Sequence, residues 1–145
     1  MKSILILNGP NLNLLGQRQP EIYGNDTLDE IEKVCMAKAL ELNFRISMAQ
    51  SNVEGEIINY IQNSLDTHQG IILNAGAYTH TSIGIMDAVA AVNLPTIEVH
   101  ISNIYKREEF RHSSYIGKVA EGQICGFGIY GYSLAIDALA NIFRK

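Results

Sequence analysis

The stretch that decides the fold is Ile4-Leu5-Ile6-Leu7-Asn8-Gly9-Pro10-Asn11, in which an apolar run passes directly into a polar loop. Four consecutive apolar residues are typical of a strand that is buried on both faces of a parallel sheet. The loop continues to Gly24 and carries three Asn, one Arg and one Tyr. Loops of this length between a strand and a helix are uncommon and usually functional. Because ligands of open α/β sheets bind beyond the carboxyl ends of the strands, we expect the functional site at this loop.

Strand-like and helical patterns alternate along the rest of the chain. Thr27-Leu28-Asp29-Glu30 is typical of a capping box and predicts the start of a helix. The strands are predicted at about residues 3–8, 44–49, 70–74, 96–100 and 123–128. Helices are predicted at about residues 28–42, 53–65 and 130–143, and a further helix between the third and fourth strands ends at about residue 92. This alternation predicts a flavodoxin-like α/β fold with a five-stranded parallel sheet and helices on both faces. We expect one catalytic domain over residues 1–145, with a strand order that the pattern leaves open.

Composition excludes several classes of partner. The formal net charge of −4 at pH 7 argues against nucleic acid and anionic membranes. No apolar run approaches the roughly 18–20 residues of a membrane span, and the apolar stretch that ends at Asn8 is too short for a signal peptide. We therefore expect a cytoplasmic protein. Cys35 and Cys125 lack CxxC spacing and are expected to be small buried hydrophobic side chains.

Polar residues end three of the predicted strands. Asn8 and Asn11 follow the first strand, Asn74 ends the third, and Glu98 and His100 close the fourth. An Asn at one strand end is usually a turn former. Because the carboxyl ends of parallel strands lie at one edge of the sheet, these side chains are expected to converge on a common site.

Glu98 and His100 alternate along one strand and should therefore point to the same face. A carboxylate can orient an imidazole that acts as a general acid near neutral pH. A purely structural His–Glu pair fits the same spacing equally well. A metal site is not expected, because His80, Asp87, Glu98 and His100 lack the spacing of metal-ligand motifs.

Arg18 and Tyr23 lie five residues apart in the long first loop. Forming tyrosinate at pH 7 costs a free tyrosine roughly 4 kcal/mol, and a guanidinium held nearby lowers that cost. The pair is either a general base with its activating cation, or a surface Arg and a Tyr packed at the core rim. The charged segment 107–113 is expected to be mostly a solvated short helix that can direct one Arg into the site. The backbone amides of Ile101 and Ser102 can form an anion nest.

Two phosphate-binding motifs are absent from the first loop. Residues 9–16 match neither GxGxxG nor GxxxxGK[ST]. An FMN-binding module of flavodoxin-like fold is the alternative to an enzyme. It predicts a first loop rich in Ser or Thr, whereas this loop has neither before Thr27.

Several longer motifs occur in a specific order. They are NGPNLNLLG at 8–16, QSN at 50–52, NAG at 74–76, EVHISN at 98–103 and RE-FR at 107–111. In these motifs the chain resembles the type II 3-dehydroquinate dehydratases over essentially its whole length. The resemblance implies a lyase that dehydrates 3-dehydroquinate to 3-dehydroshikimate through an enolate. That reaction is the third step of the shikimate pathway to chorismate and the aromatic amino acids. The family uses no cofactor and no metal.

The resemblance also implies roles for individual residues. Tyr23 would be the base, and Arg18 would stabilise the tyrosinate and belong to a lid over the substrate. Asn11 would hold a water that stabilises the enolate. His100 would protonate the departing hydroxyl, and Glu98 would orient its ring.

The implied binding residues come from four further segments. Asn74, His80 and Arg111 would bind substrate hydroxyls, and Ile101 and Ser102 would hold the carboxylate. Asp87 would act from a neighbouring subunit, because the family packs as trimers that assemble into a homododecamer.

Four positions depart from the family pattern. Gln19 stands where Glu is common, Tyr105-Lys106 where His-Ala is frequent, and Ser113 often aligns with His. Gln19 would alter the charge of the lid and Lys106 that of the site mouth. Shifted kinetics are expected from these changes, with activity retained.

Overall fold

The computed structural model describes residues 1–145 as five strands and five helices with short 3-10 turns between them. The strands are β1 (Ser3–Asn8), β2 (Arg45–Gln50), β3 (Gly70–Asn74), β4 (Thr96–His100) and β5 (Gly122–Cys125). The helices are α1 (Pro20–Tyr23), α2 (Leu28–Leu42), α3 (Glu54–Asn63), α4 (Ile83–Val92) and α5 (Tyr130–Phe143). None of these helices combines the length and the apolar character needed to cross a bilayer.

The five strands form one sheet in the order β2-β1-β3-β4-β5, and every neighbouring pair is parallel. This is the flavodoxin strand order, so the predicted fold is confirmed. The order reverses between β1 and β3, and ligands of such sheets bind in the crevice at this point. Asn8 and Asn74 pair with each other at the carboxyl ends of these two strands.

Two apolar cores lie on opposite faces of the sheet. Ile4 and Ile6 of β1 pack into the core shared with α2 and α5. Leu5 and Leu7 of the same strand pack into the core shared with α3 and α4. Successive strand residues point to opposite faces, so a continuous apolar run supplies both cores. Burying each such side chain stabilises the fold by about 1.5–3 kcal/mol.

Element boundaries differ from the sequence prediction most clearly at the fifth strand and at the end of α3. The fifth strand was predicted to reach Gly128 but ends at Cys125, because Gly126 and Gly128 adopt left-handed φ angles of 93° and 60°. The helix α3 ends at Asn63 and continues only as a 3-10 turn over Ser64–Asp66. The capping box is confirmed, since the Thr27 hydroxyl accepts a hydrogen bond from the Glu30 amide at 3.3 Å.

The first loop contains a short helix that the sequence pattern did not predict. Pro20 begins α1, where a fixed φ is favourable, and Gly24 with a φ of 78° ends it. Gln19 precedes α1 with a φ of 39°, so it is held in the left-handed region. A four-residue helix has too little periodicity to be detected from the sequence.

Two glycines allow the loops after β1 and β3 to approach each other closely. A Cβ on Gly9 would lie 2.4 Å from the carbonyl oxygen of Ala75, and the Gly9 amide donates to the Asn74 carbonyl at 2.7 Å. Gly76 has a φ of 58°, and a Cβ there would lie 3.1 Å from the Pro10 carbonyl oxygen. This contact places the two loops side by side at the mouth of the crevice.

Both cysteines are free thiols. Burial raises the pKa of Cys35 to about 12 and that of Cys125 to about 11. They therefore remain protonated at neutral pH. Cys35 is buried, as predicted, whereas Cys125 is only half-buried, so the prediction of a buried side chain is wrong for Cys125.

Candidate active site

A cleft opens beyond the carboxyl ends of β1, β3 and β4. Predicted site residues that line it are Asn11, Arg18, Tyr23, Asn74, His80, His100, Ile101, Ser102 and Arg111. Glu98 lies directly behind His100, while Asp87 lies outside the cleft on an exposed face of α4. Residues from separate elements thus converge at the switch point of the sheet, as the strand-end pattern predicted.

Glu98 and His100 form a buried pair at the end of β4. The Nε2 atom of His100 lies 2.5 Å from Glu98 Oε2, and the Glu98 side chain has no exposed surface. Gln123 donates to Glu98 Oε2 at 2.8 Å, and the Ser114 hydroxyl lies 2.8 Å from Oε1. The carboxylate therefore orients the imidazole, as the alternation of the two residues along the strand predicted.

These contacts keep Glu98 ionised. Burial acts to raise the pKa of Glu98, but hydrogen bonding and charge attraction from His100, with hydrogen bonds from Gln123 and Ser114, outweigh it and lower the pKa. The ionised Glu98 holds the His100 ring by its Nε2 atom and fixes its orientation. Gln123 was missed by the sequence prediction because it faces Glu98 only through the β4–β5 register.

Tyr23 contacts two arginine side chains. Arg107 Nη1 donates to the Tyr23 hydroxyl at 2.8 Å, and its guanidinium lies 5.2 Å from the ring centroid. The guanidinium of Arg18 lies 4.9 Å from the same ring. Both positive charges would stabilise a tyrosinate. Arg18 was predicted, whereas Arg107 was anticipated only as a member of the charged segment 107–113.

Glu108 holds the two cleft arginines of that segment. It accepts a hydrogen bond from Arg111 Nε at 2.7 Å and lies 3.8 Å from Arg107 Nε. Its own backbone amide and then Arg111 lower the pKa of Glu108. The segment forms a 3-10 turn over Glu109–Arg111, a shorter element than the predicted helix.

His80 faces His100 across the cleft. Their rings stack with centroids 6.3 Å apart and planes inclined by 15°. His80 Nδ1 lies 2.8 Å from the Ser113 carbonyl oxygen and donates to it. Burial lowers the pKa of His80 despite that hydrogen bond, so the ring is neutral at pH 7. Its Nε2 atom is then a hydrogen-bond acceptor available to a ligand hydroxyl.

The end of β2 supports the loop that carries Asn11. Asn11 has a left-handed φ of 69°, and its backbone amide donates to Asn52 Oδ1 at 2.9 Å. Gln50 Nε2 donates to the same oxygen and to the Gly9 carbonyl, each at 3.1 Å. The motif at residues 50–52 therefore positions the first loop, and the Asn11 side chain remains exposed to the cleft.

A family model described as dehydroquinase class II matches residues 2–140. The chain belongs to the class II dehydroquinase family. The resemblance found in the sequence motifs is thereby confirmed, as is the prediction that the chain is an enzyme, a 3-dehydroquinate dehydratase.

Relatives match this dehydroquinase over nearly their full length. A 3-dehydroquinate dehydratase of Ruegeria pomeroyi is 56% identical over 140 residues, covering 97% of this chain and 94% of the relative. That of Trichodesmium erythraeum is 54% identical and covers 99% and 95%. The crystal structure of a type II dehydroquinase from Propionibacterium acnes has a TM-score of 0.93 at 40% identity, covering 97% of each chain. The same TM-score, at 46% identity, relates this chain to the enzyme from Butyrivibrio crossotus.

Proposed function

We propose that this dehydroquinase converts 3-dehydroquinate to 3-dehydroshikimate through an enolate, with Tyr23 as the base and His100 as the acid. The observation that carries the proposal is the shared cleft, which is lined by a tyrosine bonded to one arginine and by a histidine bonded to a buried carboxylate. In this role the enzyme serves the third step of the shikimate pathway to chorismate. Family membership favours this function over the FMN-binding alternative.

Tyr23 would remove the proton from the substrate. A carbon acid next to a ketone is weak, so the base must be strong and the enolate must be stabilised. Arg107 at the hydroxyl and Arg18 at the ring favour the tyrosinate form. Asn11 lines the cleft and would hold the water that stabilises the enolate oxygen.

His100 would protonate the hydroxyl that leaves the substrate. Hydroxide is a poor leaving group, so it must be protonated as it departs. The ionised Glu98 stabilises the imidazolium and fixes the ring through Nε2, which leaves Nδ1 as the second ring donor. The mechanism requires no covalent nucleophile, cofactor or metal.

Substrate binding falls to the remaining cleft residues. Asn74, His80 and Arg111 would bind the substrate hydroxyls, and the amides of Ile101 and Ser102 would bind the carboxylate. Arg107 Nη1 also lies 3.4 Å from the Ser102 hydroxyl, which brings a positive charge near that proposed carboxylate site.

We further propose that the enzyme works in the cytoplasm as a homododecamer, a tetramer of trimers, in which Asp87 acts on a neighbouring site. Asp87 is exposed on α4 and lies outside the cleft of its own chain, so a role in catalysis requires a second chain.

The test is an ultraviolet assay for the conjugated enone product after addition of 3-dehydroquinate. It is run with a metal chelator, and again after the enzyme has been treated with borohydride in the presence of 3-dehydroquinate and separated from the excess reagent. Product formation that survives both treatments supports dehydration without a metal or an imine. A folded chain that forms no product contradicts the proposed function.

A further inference from the structure

A buried chain of hydrogen bonds connects α5 to the cleft. The Tyr132 side chain has no exposed surface, and its hydroxyl lies between the side chains of Asn8 and Asn74. The Tyr132 hydroxyl donates to Asn8 Oδ1 at 2.7 Å and accepts from Asn74 Nδ2 at 2.9 Å. Of these three residues, Asn74 is the one that lines the cleft.

Backbone groups at both ends fix the donor-to-acceptor direction of this series of hydrogen bonds. Asn8 Nδ2 donates to the Ala49 carbonyl at 3.3 Å, and Asn74 Oδ1 accepts from the Gly76 amide at 3.2 Å. A carbonyl only accepts and an amide N–H only donates. Neither asparagine can flip without breaking its bond to the backbone, so Asn8 turns its oxygen and Asn74 turns its nitrogen toward Tyr132.

This polarity determines what Asn74 offers to a ligand. One N–H and one oxygen lone pair of its amide are used inside the protein, which leaves one donor and one acceptor. A ligand hydroxyl both donates and accepts, so it can use both remaining groups. The side chain is 3% exposed, so it has little freedom to adopt another orientation.

Packing alone does not explain a tyrosine at this position. The Tyr132 ring belongs to the apolar core between the sheet, α2 and α5, where a phenylalanine would fill nearly the same volume. The hydroxyl has partners only because two asparagines end neighbouring strands beside it. What the hydroxyl adds to the packing is therefore two hydrogen bonds, which fix the side chains of Asn8 and Asn74.

We propose that Tyr132 is a positioning residue of the active site, which holds Asn74 in the orientation that binds a substrate hydroxyl. This inference rests on the proposed function. The bond from Asn74 would be made to a hydroxyl that does not react, so it would stabilise the ground state and the transition state equally.

The test compares Tyr132→Phe with Tyr130→Phe in the full-length enzyme. Both variants lose one hydroxyl from the first turn of α5, but Tyr130 is 61% exposed and makes no side-chain hydrogen bond. Steady-state kinetics with 3-dehydroquinate should show KM raised about tenfold in Tyr132→Phe with kcat within about twofold of wild type. Tyr130→Phe should match wild type in both constants.

A cycle with Asn74→Ala tests whether Tyr132 acts through Asn74. In that background, Tyr132→Phe should raise KM no further, because the oriented amide is already gone. Equal fold-changes in both backgrounds would overturn the inference. So would an unchanged KM in Tyr132→Phe accompanied only by a lower Tm, since that pattern indicates a structural role.

Two further results keep the inference separate from the proposed function. Asn8→Leu preserves the side-chain shape but removes the acceptor for Tyr132, so it should also raise KM and serves if Tyr132→Phe does not fold. An inactive wild-type enzyme would overturn the proposed function and this inference together. An active wild type with unmoved KM values in both variants would overturn the inference alone.

Discussion

At the scale of single residues, the site depends on a tyrosine that contacts two guanidinium groups and a histidine that contacts one carboxylate. Period-two alternation predicted the contact between Glu98 and His100, because both side chains leave one strand on one face. The hydrogen bond from Arg107 to Tyr23 spans 84 positions of sequence. No local pattern encodes such a contact. The residue pattern predicted only that one arginine of segment 107–113 reaches the site, and the family resemblance named Arg111, so the contact of Arg107 with Tyr23 was missed.

Replacing Arg107 tests its contribution to the base. Arg107→Met removes the hydrogen bond to the Tyr23 hydroxyl and one positive charge. A hydrogen bond to a charged group contributes about 1.5–3 kcal/mol, so kcat/KM at pH 7 should fall about 10- to 100-fold. The loss should shrink at alkaline pH, where hydroxide in solution can form the tyrosinate. The control is Arg144→Met, which removes an exposed arginine near the chain end. A kcat/KM at pH 7 equal to wild type would contradict the role of Arg107.

At the scale of elements, the strands position the site by register. Glu98 pairs with Gln123 across β4 and β5, and Asn8 pairs with Asn74 across β1 and β3. Most strand residues were predictable from hydrophobic periodicity, and the start of α2 was predictable from its capping box. The residues that pair across neighbouring strands could not be predicted, because the order of the strands is a property of the whole sheet. The Gly-rich end of β5 misled the prediction because its apolar residues continue the strand pattern beyond Cys125.

The lowered pKa of Glu98 predicts acid-dependent stability. A carboxylate whose pKa is lower in the folded state than in the unfolded state stabilises the fold. This contribution is complete above the ordinary, unfolded pKa of about 4.3 and is lost as the pH falls through the folded pKa. Gln123→Leu removes one hydrogen bond that lowers the pKa of Glu98. The variant should be less stable than wild type by about 1.5–3 kcal/mol at pH 7, with a smaller difference at pH 3. Urea unfolding at both pH values measures this, with exposed Gln62→Leu as the control. An equal difference in the free energy of unfolding at both pH values would contradict the conclusion that Gln123 stabilises the ionised form of Glu98.

The approach of the first and third strand loops predicts a strict requirement for glycine. Gly9→Ala would place a methyl group 2.4 Å from the backbone oxygen of Ala75, which cannot move aside as a flexible side chain would. The variant should lose about 2–4 kcal/mol of stability and most of its activity, because the Asn11 loop would shift. Gly55→Ala in α3 meets no atom within 4 Å and should change stability by less than about 1 kcal/mol. Urea unfolding that shows equal effects for the two variants would refute the steric argument.

At the scale of the whole molecule, the prediction concerns assembly. Twelve chains of 16.0 kDa give a particle of about 190 kDa. Light scattering coupled to gel filtration should report this mass. Asp87→Asn should lower kcat/KM without changing the mass of the particle, because Asp87 is exposed on α4. A fully active monomer would contradict both the homododecamer and the role of Asp87.

Isotope exchange separates the role of the base from the role of the acid. In D2O, NMR follows exchange of the proton next to the ketone of 3-dehydroquinate and the formation of product. His100→Ala should still exchange this proton faster than the enzyme-free control while forming almost no product, because Tyr23 remains. Tyr23→Phe should lose about 10²- to 10⁴-fold in both exchange and dehydration. Exchange at the wild-type rate in Tyr23→Phe would contradict the assignment of Tyr23 as the base and, with it, the proposed mechanism.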